Sequence, residues 1–245
     1  MANKYYDILR APHQVAFDIT NNCNLRCLHC FNSSGENDVI SNELSDGEVL
    51  HFIEDLASMN LYNVCFCGGE TLLRKELMCE CIKILKPSGS HCTAVTNGLL
   101  ANPATIQQLA SAGLDGIQFS LDGLRDSHER LRNKVGIFPK VIDAMKYVLN
   151  ETGLRLSIAF TPTSFNVKDF LGVYDLLVDL YEKSNRTTGS DYIDFRLQPL
   201  MLLGRAKDNP NIVPTDAQYR WLVQNINEVN LTGKCHPCID VKWGD

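Results

Sequence analysis

Short apolar runs rich in β-branched and aromatic residues alternate along this chain with longer segments whose apolar positions recur at helical spacing. The runs are VAFDIT (15–20), NVCFC (63–67), CTAVTN (92–97), GIQFSLD (116–122), RLSIAFT (155–161) and YIDFRLQPL (192–200), and they read as buried strands. The helical segments run from Ser45 to Met59, Lys75 to Leu85, Pro103 to Ala112, Pro139 to Asn150, Lys168 to Lys183 and Asp216 to Asn230. Ser45 with Glu48 has the form of a capping box, and Asn102 before Pro103 suits an N-cap followed by a first-turn proline. Six alternating units imply an α/β fold with parallel strands, because each helix carries the chain back to begin another strand on the same side. A complete eight-stranded barrel takes about 250 residues. A partial (β/α)6 TIM-like barrel therefore fits better, spanning 15–206, with 1–14 as an N-terminal extension. Residues 207–245 then read as a C-terminal helix and the start of a cysteine-containing extension. The polar stretch GRAKDNPNIVP (204–214) marks that change, and the last fifteen residues read as a short irregular tail.

Composition narrows the class. With 245 residues, 44% of them hydrophobic, the chain can bury one substantial core. A formal charge of -6 argues against a nucleic-acid backbone as partner. The opening residues lack the apolar core of a signal peptide, and no run approaches the roughly 18 apolar residues of a membrane span. A cytoplasmic protein with no membrane partner is the expectation. Ten cysteines in a reducing compartment point to metal binding or redox chemistry rather than disulfides. Cys23, Cys27 and Cys30 cluster, Cys65 pairs with Cys67 and Cys79 with Cys81, Cys92 is alone, and Cys235 and Cys238 form a terminal CxxC.

The first three follow directly on the strand 15–20, at the carboxyl end where active sites of parallel folds gather. Spacings of four and three residues let three thiolates converge on one iron–sulfur cluster, leaving one iron of four open to a substrate. Zinc is the alternative, with His29 as a further ligand.

Cys23-Asn24-Leu25-Arg26-Cys27-Leu28-His29-Cys30 resembles the CxxxCxxC signature of the radical S-adenosylmethionine superfamily. Further resemblances follow in order at later strand ends. They are Gly68-Gly69-Glu70-Thr71 (like GGEP), Thr96-Asn97-Gly98 (TNG), Ser120-Leu121-Asp122-Gly123 (SLDG) and Gly204-Arg205-Ala206 (GRA). The likeness covers residues 15 to about 206. It departs at His29, often aromatic in the family, and at Thr71, usually proline.

The resemblance implies a [4Fe–4S] cluster on Cys23, Cys27 and Cys30 and S-adenosylmethionine as cofactor. Reductive cleavage then yields a 5′-deoxyadenosyl radical that abstracts hydrogen from a substrate. It implies that His29 covers the adenine, that the Gly68-Gly69-Glu70-Thr71 turn meets the methionine ammonium, and that Ser120 and Arg132 hold its carboxylate. Asp122, Asn97 and Gln198 join the cofactor-binding set. The ordinary readings stand beside these: a plain turn at Gly68–Thr71, a solvated Arg132, and satisfied turn or strand-end groups at Asn97 and Gln198.

Cys65 and Cys67 share a strand face and read as buried small hydrophobes, Cys79 and Cys81 point to different helix faces, and Cys92 reads as core. Cys235 and Cys238 resemble the entry to the SPASM or twitch extension, which carries auxiliary iron–sulfur clusters, yet the sequence stops at Asp245 without further cysteines. The chain is then a fragment, or the pair is a redox or metal remnant or a plain pair of thiols.

The SPASM-type likeness implies modification of a peptide or protein side chain, fed by an electron donor such as flavodoxin or ferredoxin. With only some fourteen residues ahead of the barrel, leader recognition is expected from elsewhere. The runner-up is a small-molecule step in haem or redox-cofactor synthesis. A rival of another class is a non-catalytic metal-binding module.

Overall fold

The computed structural model describes residues 12–36, 42–186, 193–231 and 236–243. Seven parallel strands form one sheet in sequence order: β1 Gln14–Thr20, β2 Asn63–Gly68, β3 His91–Thr96, β4 Gly116–Ser120, β5 Arg155–Phe160, β6 Ile193–Leu197 and β7 Ile239–Trp243. The helices are α1 Asp46–Ser58, α2 Lys75–Leu85, α3 Pro103–Ala112, α4 Arg125–Arg132, α5 Ile137–Glu151, α6 Phe170–Glu182 and α7 Asp216–Leu231. Alternating βα units in one parallel sheet make this a partial TIM-like barrel. None of the described helices is long and apolar enough to cross a membrane.

Local signals start and stop the helices where the sequence placed them. Ser45 Oγ accepts the Glu48 N–H while Glu48 Oε2 accepts the Ser45 N–H at 2.9 Å, a reciprocal cap for α1. Asn102 Oδ1 accepts the Thr105 N–H at 3.0 Å, Pro103 opens α3, and Gly113 closes it at φ +102°.

Two departures from expectation matter. The helix α4 has no apolar period, only Leu131 among RDSHERLR, so the sequence reading passed over it. Its buried side is polar instead: His128, Leu131 and Arg132 fall at i, i+3 and i+4 and so share one face. The tail expected to be irregular holds β7, whose Ile239 and Val241 are buried and which pairs parallel with β6 from Ile193↔Ile239 to Leu197↔Trp243. The residues after 206 thus add a strand to the same sheet.

Each strand divides its side chains between two environments. Val64 and Phe66, Ile117 and Phe119, Ile158 and Phe160, and Phe195 pack under the helices, all at 0–1% exposure. Full burial of such a side chain contributes about 1.5–3 kcal/mol. The opposite face carries Asp18, Cys65, Cys67, Thr93, Gln118 and Ser157, none of them fully buried. Parallel sheets usually bury both faces in apolar contacts. This one keeps its inner face polar because that face lines a cavity.

Candidate active site

The loop after β1 is held in place by polar groups from both ends of the barrel domain. Arg26 Nη1 donates to the carbonyls of Cys23 and Leu25, both at 2.8 Å, and its Nη2 to Gly35 O at 2.5 Å. From the far side of the sequence, Arg205 Nε donates to Cys27 O at 3.2 Å, while Nη1 reaches Ser34 O at 3.2 Å and Glu36 at 2.7 Å. Gly204 at φ +51° brings this segment so near that a Cβ would lie 2.5 Å from Phe31 O. The GRA motif is a clamp on the cysteine loop. Its presence was legible in sequence, but Arg205 was not among the expected site residues.

The Gly-Gly turn packs against the same loop. Gly69 N–H donates to Thr20 O at 2.7 Å and Glu70 N–H to Asn22 O at 2.9 Å. A Cβ on Gly68, at φ +135°, would lie 2.2 Å from Thr20 O, and one on Gly69 would lie 2.2 Å from Asn22 O. These glycines therefore let β2 dock on the cysteine loop, in addition to facing the cavity.

One cavity of about 310 Å³ at the carboxyl ends of the strands gathers most of the expected residues. Cys23, Cys27, His29, Cys30, Gly68, Gly69, Asn97, Ser120, Arg132 and Gln198 all line it. Glu70, Thr71 and Asp122 stand behind its wall. Glu70, 1% exposed, accepts from Thr96 Oγ1 at 2.6 Å, Asn97 N–H at 2.8 Å and Leu72 N–H at 3.1 Å. Burial raises its pKa against these hydrogen bonds. Its carboxylate ties the second and third strand ends together, a structural role beside the contact with the cofactor ammonium that the family resemblance implies. Thr71 donates from Oγ1 to Val95 O at 2.6 Å, a hydrogen bond that the family's proline could not make. Asn97 is both a turn group, accepting the Leu99 N–H at 3.0 Å, and a neighbour of the loop, donating to Asn24 Oδ1 at 2.8 Å.

Arg132 is not a solvated surface arginine. Its Nη2 pairs with Asp122 Oδ2 at 2.5 Å, and its Nη1 lies 3.8 Å from Cys27 Sγ. Asp122, 0% exposed, accepts the Thr161 N–H at 2.8 Å, and His29 Nε2 lies 3.6 Å from it. Burial opposes ionisation of Asp122, but the Arg132 guanidinium above all holds its carboxyl below the usual range. Its backbone N–H donates to His128 Nδ1 at 3.1 Å. Burial is also the main cause that pushes His29 down to about 4 and His128 to about 3, so both imidazoles are neutral at pH 7. A buried, permanently charged guanidinium thus touches a cysteine sulfur, with Asp122 as its counter-ion.

This environment fits a thiolate-bound cluster. Burial pushes the Cys27 thiol up to about 11 and raises Cys23 too, so the thiols keep their protons until iron displaces them. Arg132 and the Leu25 N–H, 3.5 Å from Cys23 Sγ, face the sulfurs that would then carry negative charge. His29 Nδ1 and Arg132 Nε are buried without a hydrogen-bond partner at the edge of the cavity. Among the described residues, no group of three His, Cys, Asp or Glu side chains is arranged around a single metal ion.

The other cysteines separate clearly. Cys79, Cys81 and Cys92 are buried, and burial pushes Cys81 and Cys92 up to about 12. Cys238 is 3% exposed and packs in the hydrophobic core, and Cys235 lies outside the described residues. Cys65 and Cys67 are not the buried small hydrophobes expected. Both are half-buried on the inner face, with sulfurs 3.5 Å apart, and Cys67 lines the cavity of the cysteine loop. A larger hollow of about 560 Å³, outside the sheet between α3 and α5, contains no cysteine.

Fold and site together define an α/β-barrel enzyme with an iron–sulfur centre carried on a strand-end loop. The chain belongs to the Radical SAM superfamily, whose family model matches residues 17–177, and it therefore uses a [4Fe–4S] cluster with S-adenosylmethionine. It is 32% identical over 163 residues to Fe-coproporphyrin III synthase of Methanosarcina barkeri, covering 66% of this chain and 40% of that protein. It is 30% identical to the mycofactocin maturase MftC of Mycolicibacterium smegmatis, covering 92% of this chain and 55% of the relative. In fold it is similar to Streptococcus suis SuiB bound to S-adenosylmethionine, with a TM-score of 0.73 at 17% identity over 96% of this chain and 51% of that one. The chain thus spans about half the length of these proteins.

Proposed function

We propose that this enzyme abstracts hydrogen from a peptide or protein side chain, as part of peptide maturation in the SPASM manner. The observation that carries the reading is the size and place of the cavity. About 310 Å³ lies at the low end of the roughly 300–1,000 Å³ typical of small-molecule sites. The cavity's place at the carboxyl ends of the strands lets a peptide side chain reach the cysteine loop. The 30% identity to a mycofactocin maturase supports the same reading.

In this reading Cys23, Cys27 and Cys30 hold the cluster, and Ser120, Asn97 and Gln198 orient S-adenosylmethionine. When bound, the cluster supplies the electron that breaks the carbon–sulfur bond. Arg132 keeps positive charge beside Cys27, Arg205 keeps the loop in place, and the cavity wall keeps water from the reacting carbon. A low-potential donor such as flavodoxin or ferredoxin and the reducing cytoplasm complete the setting.

A small-molecule step on a porphyrin is the second reading, favoured by the 32% identity to Fe-coproporphyrin III synthase. The two are separated by measuring deoxyadenosine release with candidate precursor peptides and with iron coproporphyrin III. The proposal expects several-fold stimulation by a peptide and a modified peptide product, seen as a change in mass or, for an isomer of the same mass, in chromatographic retention. Stimulation by the porphyrin alone overturns it.

A further inference from the structure

The pair Cys65 and Cys67 is the chemistry in this barrel that the proposed function leaves unused. β2 alternates strictly: Val64 and Phe66 point into the core at 0% exposure, so Cys65 and Cys67 point the other way, onto the inner face. Their sulfurs are 3.5 Å apart. Cys67 directly precedes the Gly68-Gly69 turn and lines the same cavity as Cys23, Cys27 and Cys30. Cys65, one pleat further down, lines an adjoining cavity of about 200 Å³, and Val95 and Gln118 border both. Other cysteines of the chain, Cys79, Cys81 and Cys92, are buried and line neither of these cavities. An S–H bond is weaker than the C–H bonds of most side chains, so a thiol on this wall is a ready hydrogen source for a carbon radical formed beside it.

Resting on the proposed function, we infer that Cys67 is a catalytic hydrogen donor, returning a hydrogen atom to the substrate radical, with Cys65 as its redox partner. The step balances simply. The S–H bond of Cys67 breaks homolytically and a C–H bond forms on the substrate, leaving a thiyl radical on Cys67. The Cys65 sulfur is close enough to share that unpaired electron. One electron from the low-potential donor that feeds the cluster, with one proton from solvent, restores the thiol. Asp18, the cross-strand neighbour of Cys67 and a lining residue of the same cavity, has its carboxyl raised by burial and can pass that proton. The substrate loses one hydrogen and gains another, so its oxidation state is unchanged. Inversion at a carbon centre is the reaction class this predicts, rather than cross-linking or desaturation, which return no hydrogen.

The test needs no identified substrate. Without one, the deoxyadenosyl radical takes hydrogen from the cavity wall, and thiol hydrogens exchange with solvent. The cluster-loaded protein is given S-adenosylmethionine and dithionite in deuterium oxide, and the deuterated fraction of the deoxyadenosine is read by mass spectrometry. Wild-type protein should give mostly singly deuterated product. Cys67→Ala and Cys67→Ser should lower that fraction at least fivefold, with iron content and cluster absorbance confirming that each variant folds. Cys65→Ala should preserve it. A fraction unchanged in both Cys67 variants, or lost in Cys65→Ala alone, overturns the inference and leaves the proposed function standing. No deoxyadenosine from wild-type protein overturns both. Independently, phenylarsine oxide should bridge Cys65 and Cys67 in the loaded protein, mapped by peptide mass, and failure to bridge them contradicts their placement on one open face.

Discussion

The loop of Cys23, Cys27 and Cys30 and the C-terminal Cys238 put the same side chain at opposite ends of parallel strands. The loop leaves the carboxyl end of β1, where the backbone opens into a cavity and Arg26, Arg132 and Arg205 converge on it. Cys238 enters β7 from its amino end and is 3% exposed among apolar neighbours. Burial does not separate the two, since Cys27 at 7% exposure belongs to the same core; the cavity and the arginines facing the loop do. A CxxC pattern alone could not show that.

Substitution breaks this contrast most sharply. Cys27→Ala should abolish deoxyadenosine formation, by three orders of magnitude or more, and lower bound iron. Cys238→Ala should leave iron and turnover intact and cost about 1–2 kcal/mol in a denaturant titration, the scale of a small core truncation. Loss of iron in Cys238→Ala would erase the distinction.

The next effect concerns the guanidinium that makes the loop's surroundings special. Arg132→Gln leaves Asp122 buried without its partner and should cost about 3–5 kcal/mol, read as a fall in Tm. Arg132→Lys should recover part of that. A cluster assembled in Arg132→Lys should show a shifted reduction potential, because the donor to Cys27 Sγ has changed.

A pH series sharpens the same comparison. Folding holds His128 at about 3 against an unfolded value near 6.5. Below the unfolded value the unfolded chain binds a proton that the native chain does not. Stability should therefore be fully present above about pH 6.5 and decline as pH falls toward 3. His128→Asn, which retains an acceptor for the Asp122 N–H, should roughly halve the decline in Tm between pH 6.5 and 4.5, the rest belonging to His29. An unchanged slope would show that His128 is not the group responsible.

The smallest expected effect is at Glu70. Glu70→Gln keeps the shape but turns one acceptor toward the Thr96 or Asn97 donors into an amide, and should cost about 1–3 kcal/mol. Iron binding should survive. Loss of S-adenosylmethionine affinity in excess of the stability loss would place Glu70 among the cofactor's own contacts.

The sequence carried the six strands and the order of the motifs, because buried apolar runs and strand-end turns are local signals. It did not carry α4, whose inward face is His128 and Arg132 rather than a hydrophobic stripe, nor β7, where Ile239 and Val241 alone supply the alternation. Within the site, Cys23, Cys27, Cys30, Ser120 and Gln198 converge on one cavity as their strand-end positions implied, and Arg132 joins them from the end of α4. Glu70 and Asp122 are turned behind it. Which way a strand-end carboxylate faces depends on the neighbouring turn: Thr96 and Asn97 claim Glu70, and Arg132 with Thr161 claims Asp122. Cys65 and Cys67 were legible as sharing a face, but only the assembled sheet shows that this face is the open one.

The most direct measurement is anaerobic reconstitution with iron and sulfide, followed by dithionite reduction and assay of deoxyadenosine from S-adenosylmethionine. About four irons per chain and deoxyadenosine that disappears in Cys27→Ala are the result this account predicts. Absence of deoxyadenosine, or its persistence in Cys27→Ala, would contradict it.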